Sequence, residues 1–384
     1  MAVNLQYKKD SDKSKSTNKS DLSFDLIIKK INLYLNKFSG VPLREKLFFI
    51  QHLGIMLKAG ISMSTAINTL SQESENKYFK KILIDIANSV TKGTSLSASL
   101  KPYSHIFGEL FISMIDAGEL SGKLEEVLAQ LYIQLKKQHE LISKVKGAMT
   151  YPAVIIVAMI GIGTFMLVFV VPKITSMFAD FNAELPLPTK ILISVSNTLV
   201  THGLIVLFIL ILFIFMIVKI LKTYKGKYYM QALLLKTPIF SSIIKKINLA
   251  KFARTISSLL KTDIMIIKTF KITGNVMGNL HYRKALMDMA EKIKKGGQIN
   301  EVIKNYPKLF PPIVVQMVTI GEQTGELDNI LLELAEFYEN EVDQTMNNLP
   351  SIIEPILILF LGCAVGAMAV AIVMPMYSIT TAIS

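Results

Sequence analysis

Tyr151-Pro152, then Ala153 to Val171 with no charged residue, then Pro172: the reading of this stretch decides the fold. The apolar run is 19 residues long. At about 1.5 Å per residue it covers the roughly 30 Å hydrocarbon core of a bilayer. A buried helix of a water-soluble protein rarely runs so far without a polar face. Pro152 suits the first turn of such a helix, where its missing N–H forfeits no hydrogen bond. Lys144 and Lys146 stand just before it, where long side chains can snorkel to the headgroups. Tyr151, Pro152 and Pro172 therefore mark the ends of a first membrane span, residues 152–172.

The pattern returns at Glu354-Pro355, an uncharged run from Ile356 to Met374, and Pro375, a span over 355–375 displaced by 203 residues at both prolines. The same displacement lays Gly118-Glu119-x-x-Gly122-x-Leu124 on Gly321-Glu322-x-x-Gly325-x-Leu327. It also pairs Phe107 with Phe310, Lys92-Gly93 with Lys295-Gly296, and Leu57-Lys58 with Leu260-Lys261. One offset without a gap from Leu57 to Pro172 points to duplication of a unit, a helical domain feeding a membrane helix. Gly60 of the first copy is replaced by Asp263 in the second, so the halves are not interchangeable.

The chain has 384 residues, 51% of them apolar, and a formal charge of +13; its mean hydropathy is +0.44. High hydropathy combined with basicity fits a membrane protein with soluble parts on the cytoplasmic side, and argues against a nucleic-acid binder, which is more often basic and hydrophilic. The single cysteine, Cys363, lies in the last apolar run, so no intrachain disulfide can form. Met1 to Asp21 has no apolar core and is not a secretory signal peptide.

Residues 1–42 read as a disordered tail followed by an amphipathic helix. Phe24, Ile27, Ile28, Ile31, Tyr34, Leu35 and Phe38 share its apolar face, which either packs on the first domain or lies in the membrane interface or against a partner. Residues 43–147 form the first domain, with helical spacing over Leu43–Ala59, Ser62–Leu70, Tyr78–Thr91, Ile106–Ala117 and Leu124–Lys146, and no run of period two. At Gly118 to Gly122 glycine ends one helix and Ser121 can cap the next, with Glu125 and Glu126 near its start. Thr324, Glu326 and Asp328 repeat the arrangement.

After a connection over 173–198, Leu199 to Val218 makes a second span, interrupted only by His202. Residues 219–350 are a basic linker and the second domain; Lys219 to Arg254 holds nine Lys/Arg and no acid, which places that end of the span inside. The connection and the tail 376–384 then lie outside. Glu322 to Asp343 carries eight acids and no base on the same inside, but acids weigh little in topology. That acidic stretch could meet Lys136, Lys137, Lys144 and Lys146 of the first copy, within or between subunits. The fold class is an all-α membrane protein with two homologous cytoplasmic helical bundles and three transmembrane helices.

No G-x-x-x-x-G-K-[ST] loop and no Rossmann glycine fingerprint occurs. His52, His105, His139, His202 and His281 have no second His or Cys at ligand spacing, so no metal site, cofactor or catalytic group is expected. The spans hold no Lys, Arg, Asp or Glu, and the repeats are parallel, both arguing against the alternative function of small-solute permease or channel. Gly362-x-x-x-Gly366 is either a helix-packing face or a pair of small residues facing lipid.

Two helical domains ending G-E-x-[ST]-G-x-L, the first followed by Tyr151-Pro152 and a span closing on Val170-Val171-Pro172, resemble the type II secretion F / type IV pilus PilC family. Leu185-Pro186-Leu187-Pro188-Thr189 is similar to the family's L-P-x-x-T connection, and Glu354-Pro355 to its second copy. The resemblance implies an assembly platform in the bacterial inner membrane, not an enzyme. It would link a cytoplasmic assembly ATPase to pilins or pseudopilins, alongside other inner-membrane assembly proteins and as a homo-oligomer. Glu119 and Glu322 are then either solvated acids at a hairpin or contacts to the ATPase, the sister domain or a metal ion. Gly118, Gly122, Leu124, Gly321, Gly325 and Leu327 complete the interaction candidates. Accessibility labelling is expected to find both bundles on one face of the bilayer; labelling on opposite faces would refute the duplicated-module reading.

Overall fold

The computed structural model describes residues 41–179 and 187–383, and among them every regular element is helical. The amphipathic segment expected over 24–38 lies outside the described residues. The chain divides into two compact units, one ending at Phe107 and the other beginning at Gly108, inside the segment read as the first domain.

In the first unit, α1 (Leu43–Lys58), α2 (Met63–Glu73), α3 (Lys77–Thr91), α4 (Leu96–Leu100) and α5 (Ser104–Phe107) follow one another with short turns. Phe49, Phe79 and Phe107 meet with ring centroids 5.9 to 6.2 Å apart. Ile50, Leu53, Ile67, Leu83 and Ile86 are buried with them. The Asn76 side chain caps α3 by accepting from the N–H groups of Tyr78 (3.0 Å) and Phe79 (2.9 Å). Tyr103 donates to Asp85 at 2.5 Å, which pushes the phenol up to about 12.

The second unit begins with α6 (Glu109–Ser121) and the long α7 (Leu124–Phe165). A π turn (Met166–Val170), α8 (Val171–Ala179) and α9 (Leu187–Lys222) follow, then α10 (Tyr224–Leu234) and α11 (Pro238–Leu260). The rest comprises α12 (Ile266–Val276), α13 (Leu280–Lys294), α14 (Ile299–Ile303), α15 (Pro312–Thr324) and α16 (Leu327–Ile383). The 203-residue displacement carries α2, α3, α4 and α6 onto α12, α13, α14 and α15 with both ends coinciding. Asn279 caps α13 as Asn76 caps α3. Phe252, Tyr282 and Phe310 replace the phenylalanine trio, and Tyr306 donates to Asp288 as Tyr103 does to Asp85. Lys292 first, then Tyr306, hold the Asp288 carboxyl below its ordinary range, so this contribution is present above that range and fades as pH falls. Even the left-handed backbone recurs: Gly60 has φ +78° and its substitute Asp263 has φ +57°, a conformation that Asp tolerates better than most residues.

Among the described residues three helices are long and apolar enough to cross a membrane, within Leu124–Thr175, Leu187–Lys222 and Leu327–Ala371. Their ends differ from the reading of the sequence. Pro152 and Pro355, expected in first turns, lie inside α7 and α16, because each bundle helix continues unbroken into its span. The second span's helix starts at Leu187 rather than 199 and kinks at His202 (φ −122°, ψ 23°). Residues 376–383, expected as a tail, continue α16.

The middle helix repairs what two prolines break. Val171 donates its N–H to Met166, five residues back, and Pro172 has none to give, so the Leu167 carbonyl has lost both helical donors. Ser196, 1% exposed, donates to it at 2.5 Å. Pro375 likewise leaves the Ala371 carbonyl without its i+4 donor, and Thr189, 4% exposed, donates to that one at 2.6 Å. Thr189 and Ser196 are two turns apart on one face of α9. Ser196→Ala and Thr189→Val are each expected to lower stability by about 1–2 kcal/mol, additively. Denaturation of the full chain in detergent measures this; wild-type stability in the double variant would refute the repair.

Candidate functional site

The two G-E-x-x-G-x-L segments are helix hairpins, and both glycines of each have a steric job. Gly118 does not end its helix: α6 runs through it to Ser121, and Gly122 (φ +68°) makes the left-handed stop. Lys123 N–H then bonds the Gly118 carbonyl at 3.0 Å and Gly122 N–H the Glu119 carbonyl at 3.4 Å, a Schellman closure. Gly118 is glycine because the next helix presses on it; a Cβ there would lie 3.0 Å from Val127 and 3.2 Å from Leu124 Cα. In the second copy Gly325 (φ +76°) ends α15, and a Cβ on Gly321 would meet Leu327 Cα at 2.9 Å. Leu124 and Leu327 open the return helices. Ser121 does not cap: its hydroxyl donates back to Ala117 at 2.9 Å. Thr324 donates to Ile320 and accepts from Glu326 N–H at 3.4 Å.

Glu322 is no idle surface acid. Its two carboxylate oxygens accept from the N–H groups of Ile299 (2.7 Å) and Asn300 (2.9 Å), closing the start of α14, whose cap residue Gln298 supplies no side-chain bond. Glu119 occupies the corresponding place in the first hairpin and is half-buried.

The first hairpin packs on the second copy. Lys123 pairs with Asp263 at 2.9 Å, Lys268 with Asp116 at 3.3 Å, and Asn275 donates to Glu109 at 2.9 Å. Deeper in the seam, buried Gln134 of α7 donates to Thr255 (3.2 Å) and accepts from Ser258 (2.9 Å) of α11, and Gln130 donates to Ser258 at 3.1 Å. Arg254, its side chain 6% exposed, makes two parallel bonds to Glu339 at 2.8 and 2.7 Å, with Glu336 at 3.8 Å. Lys246 pairs with Glu341 at 2.8 Å, Lys137 reaches Glu339 at 4.0 Å, and Lys144 pairs with Asp343. The acidic run of α16 therefore meets first-copy lysines within one chain, through two of the four proposed. Lys136 instead lies over the Tyr132 ring, and Lys146 makes no ion pair among the described residues.

The span-end residues are not gathered into a site. Tyr151 is exposed, Pro152 buried, Glu354 and Pro355 exposed, and Pro172 follows the π turn. Side chains added at Gly362 or Gly366 would meet nothing within 4 Å, so that stripe packs on no described element. Among the described residues no group of three or more His, Cys, Asp or Glu could hold a metal ion. Gln134, Thr255, Ser258 and the Arg254–Glu339 pair were missed in sequence. Gln134 alone left a signal, a polar residue on the face that carries Val127, Leu128 and Leu131.

Glu339→Ala strands the Arg254 guanidinium. The expected loss is about 3 kcal/mol, the low end for a broken buried pair because Glu336 remains near. Replacing both partners, Arg254→Met with Glu339→Leu, is expected to restore most of it. Thermal unfolding in detergent decides, and two equally unstable variants would contradict the assignment.

The family model described as "Type II secretion system (T2SS), protein F" matches residues 49–172 and again 252–375, the same 203-residue displacement. A type IV pilus assembly protein PilC of Thermus thermophilus is 34% identical over 345 residues, 90% of this chain and 85% of the relative. A PilC of Myxococcus xanthus is 32% identical, covering 90% and 83%. A type II secretion system protein F of Vibrio cholerae is 30% identical, covering 90% and 85%. With both hairpins, both adjoining spans and the duplication itself inside the matched segments, the chain belongs to the type II secretion system protein F family.

Proposed function

We propose that the chain is the inner-membrane platform of a type IV pilus or type II secretion machine, coupling a cytoplasmic assembly ATPase to the insertion of pilins or pseudopilins. The observation that carries this reading is the continuity of α7 and α16, each running from a glycine-closed hairpin, through a polar seam, into an apolar span. At about 1.5 Å per residue, the 42 residues of α7 extend about 63 Å. Such a helix carries a displacement of the bundle to the bilayer. The names of the relatives supply the class of machine. The lack of a G-x-x-x-x-G-K-[ST] loop supports a separate motor. The basic run Lys219 to Arg254 supports an orientation with the N-terminus and both bundles in the cytoplasm. Other inner-membrane assembly proteins, and further copies of the chain, complete the platform.

Inserting Gly-Gly-Ser after Gly147, where the helix surface is open, breaks the rod while leaving both hairpins and all spans intact. The insertion is expected to leave membrane abundance and ATPase co-purification at wild-type levels and to abolish fibre assembly or secretion in the native host. Unimpaired assembly by this variant would overturn the coupling role.

A further inference from the structure

The second copy carries an open cleft of about 660 Å³ beside the end of the second span. Its position is set by a tight turn. Thr223 breaks the helix after Lys222, and α10 begins with Gly226 pressed against the preceding turn; a Cβ there would lie 2.0 Å from the Ile220 carbonyl oxygen. Helix α10 is thereby held at the mouth of the span. It displays Tyr229 (73% exposed) and Leu233 (64%) on one side, an aromatic and aliphatic pair suited to the bilayer interface, with Tyr224 (66%) exposed at its first turn. Its other side docks on the start of α13. Gln231 accepts from Leu280 N–H at 2.8 Å and donates to the Gly278 carbonyl at 3.2 Å, and the Tyr228 and His281 rings meet 4.2 Å apart.

Lys236, Lys245, Lys284 and Lys308 line the resulting cleft above an apolar floor that includes Leu235 and Leu309. Among the described residues none of the four lysines is in an ion pair. The one acid in the lining, Asp288, is already held by Lys292 at 2.8 Å and by Tyr306. The cleft thus has surplus positive charge, a greasy base and, in α10, a wall that follows directly on the helix of the second span.

We propose that this cleft binds the phosphate of an anionic phospholipid from the leaflet at that end of the span. The four lysines take the headgroup, and the floor takes the glycerol and the root of the acyl chains. Charge complementarity and continuity with the membrane favour this occupant, and the proposal does not depend on which fibre or secretion pathway the chain serves.

The test uses the full chain in nanodiscs of phosphatidylcholine with increasing phosphatidylglycerol, read as thermal stability and as phosphatidylglycerol retained after purification. Wild type is expected to be stabilised and to retain the anionic lipid. Lys284→Glu with Lys308→Glu is expected to need on the order of tenfold more of it for the same shift. Lys261→Glu with Lys295→Glu, of equal net charge at the far ends of α11 and α13, is expected to behave as wild type. Equal loss in both pairs, or no response of wild type, would overturn the site. Inorganic phosphate reproducing the shift in pure phosphatidylcholine discs would overturn the lipid assignment in favour of a free anion.

Discussion

Inside hydrocarbon a carbonyl without a donor has no water to turn to, and this chain places a proline at the same point of both duplicated spans. Each proline frees a carbonyl, Leu167 in one copy and Ala371 in the other, and each is met by a hydroxyl from the helix between them. The middle span is therefore more than the return path that a parallel duplication requires. It is the element on which both repeats depend for backbone satisfaction, and its two hydroxyls on one face fix where the flanking spans stand against it. The local solutions differ, a π turn at Pro172 and continuous helix at Pro375, but the requirement is the same.

Duplication preserved the parts that fold each bundle and changed the parts that join them. Asparagine caps, the aromatic trio and the Tyr–Asp bond recur at a fixed displacement because each is closed within its own copy. The seam residues have no such symmetry. Asp263 stands where the first copy has glycine, and the carboxylate it adds is the partner of Lys123. Arg254 and Glu339 likewise have nothing of their kind at 51 and 136, which are Gln51 and Lys136. A contact between unlike halves selects different residues on its two sides, and that is where the copies have diverged.

This explains what could be read from the chain. Span existence, duplication and helical class rest on local hydropathy and period, and they were legible. The connection motif ending in Thr189 was visible as letters, but its partner, a carbonyl 182 residues away, was not. Helix ends were misplaced where a residue that usually stops a helix sits inside one. Gly118 is there for close packing, and Pro152 sits in a helix that continues from the bundle into the span. Glu322 stood out by its place in the repeat, but the contact it makes did not, since the amides it binds belong to a helix 22 residues earlier.

The magnitudes decide what holds the two copies together. Lys123–Asp263 and Lys144–Asp343 are largely solvent-exposed, and pairs of that kind contribute about 0–1 kcal/mol each. The buried Gln134–Thr255–Ser258 bonds and the two-fold Arg254–Glu339 contact are of another order, because removing one partner leaves a desolvated group behind. These groups sit on α7, α11 and α16, and two of those helices continue into spans. Because α11 stands between them, sliding α7 along α16 would strand either the Gln134 group, if α11 stayed with α16, or the Arg254–Glu339 pair, if it followed α7. The two membrane-entering helices are therefore constrained to move as a pair at the seam, and relative motion between them has to be taken up elsewhere along their length.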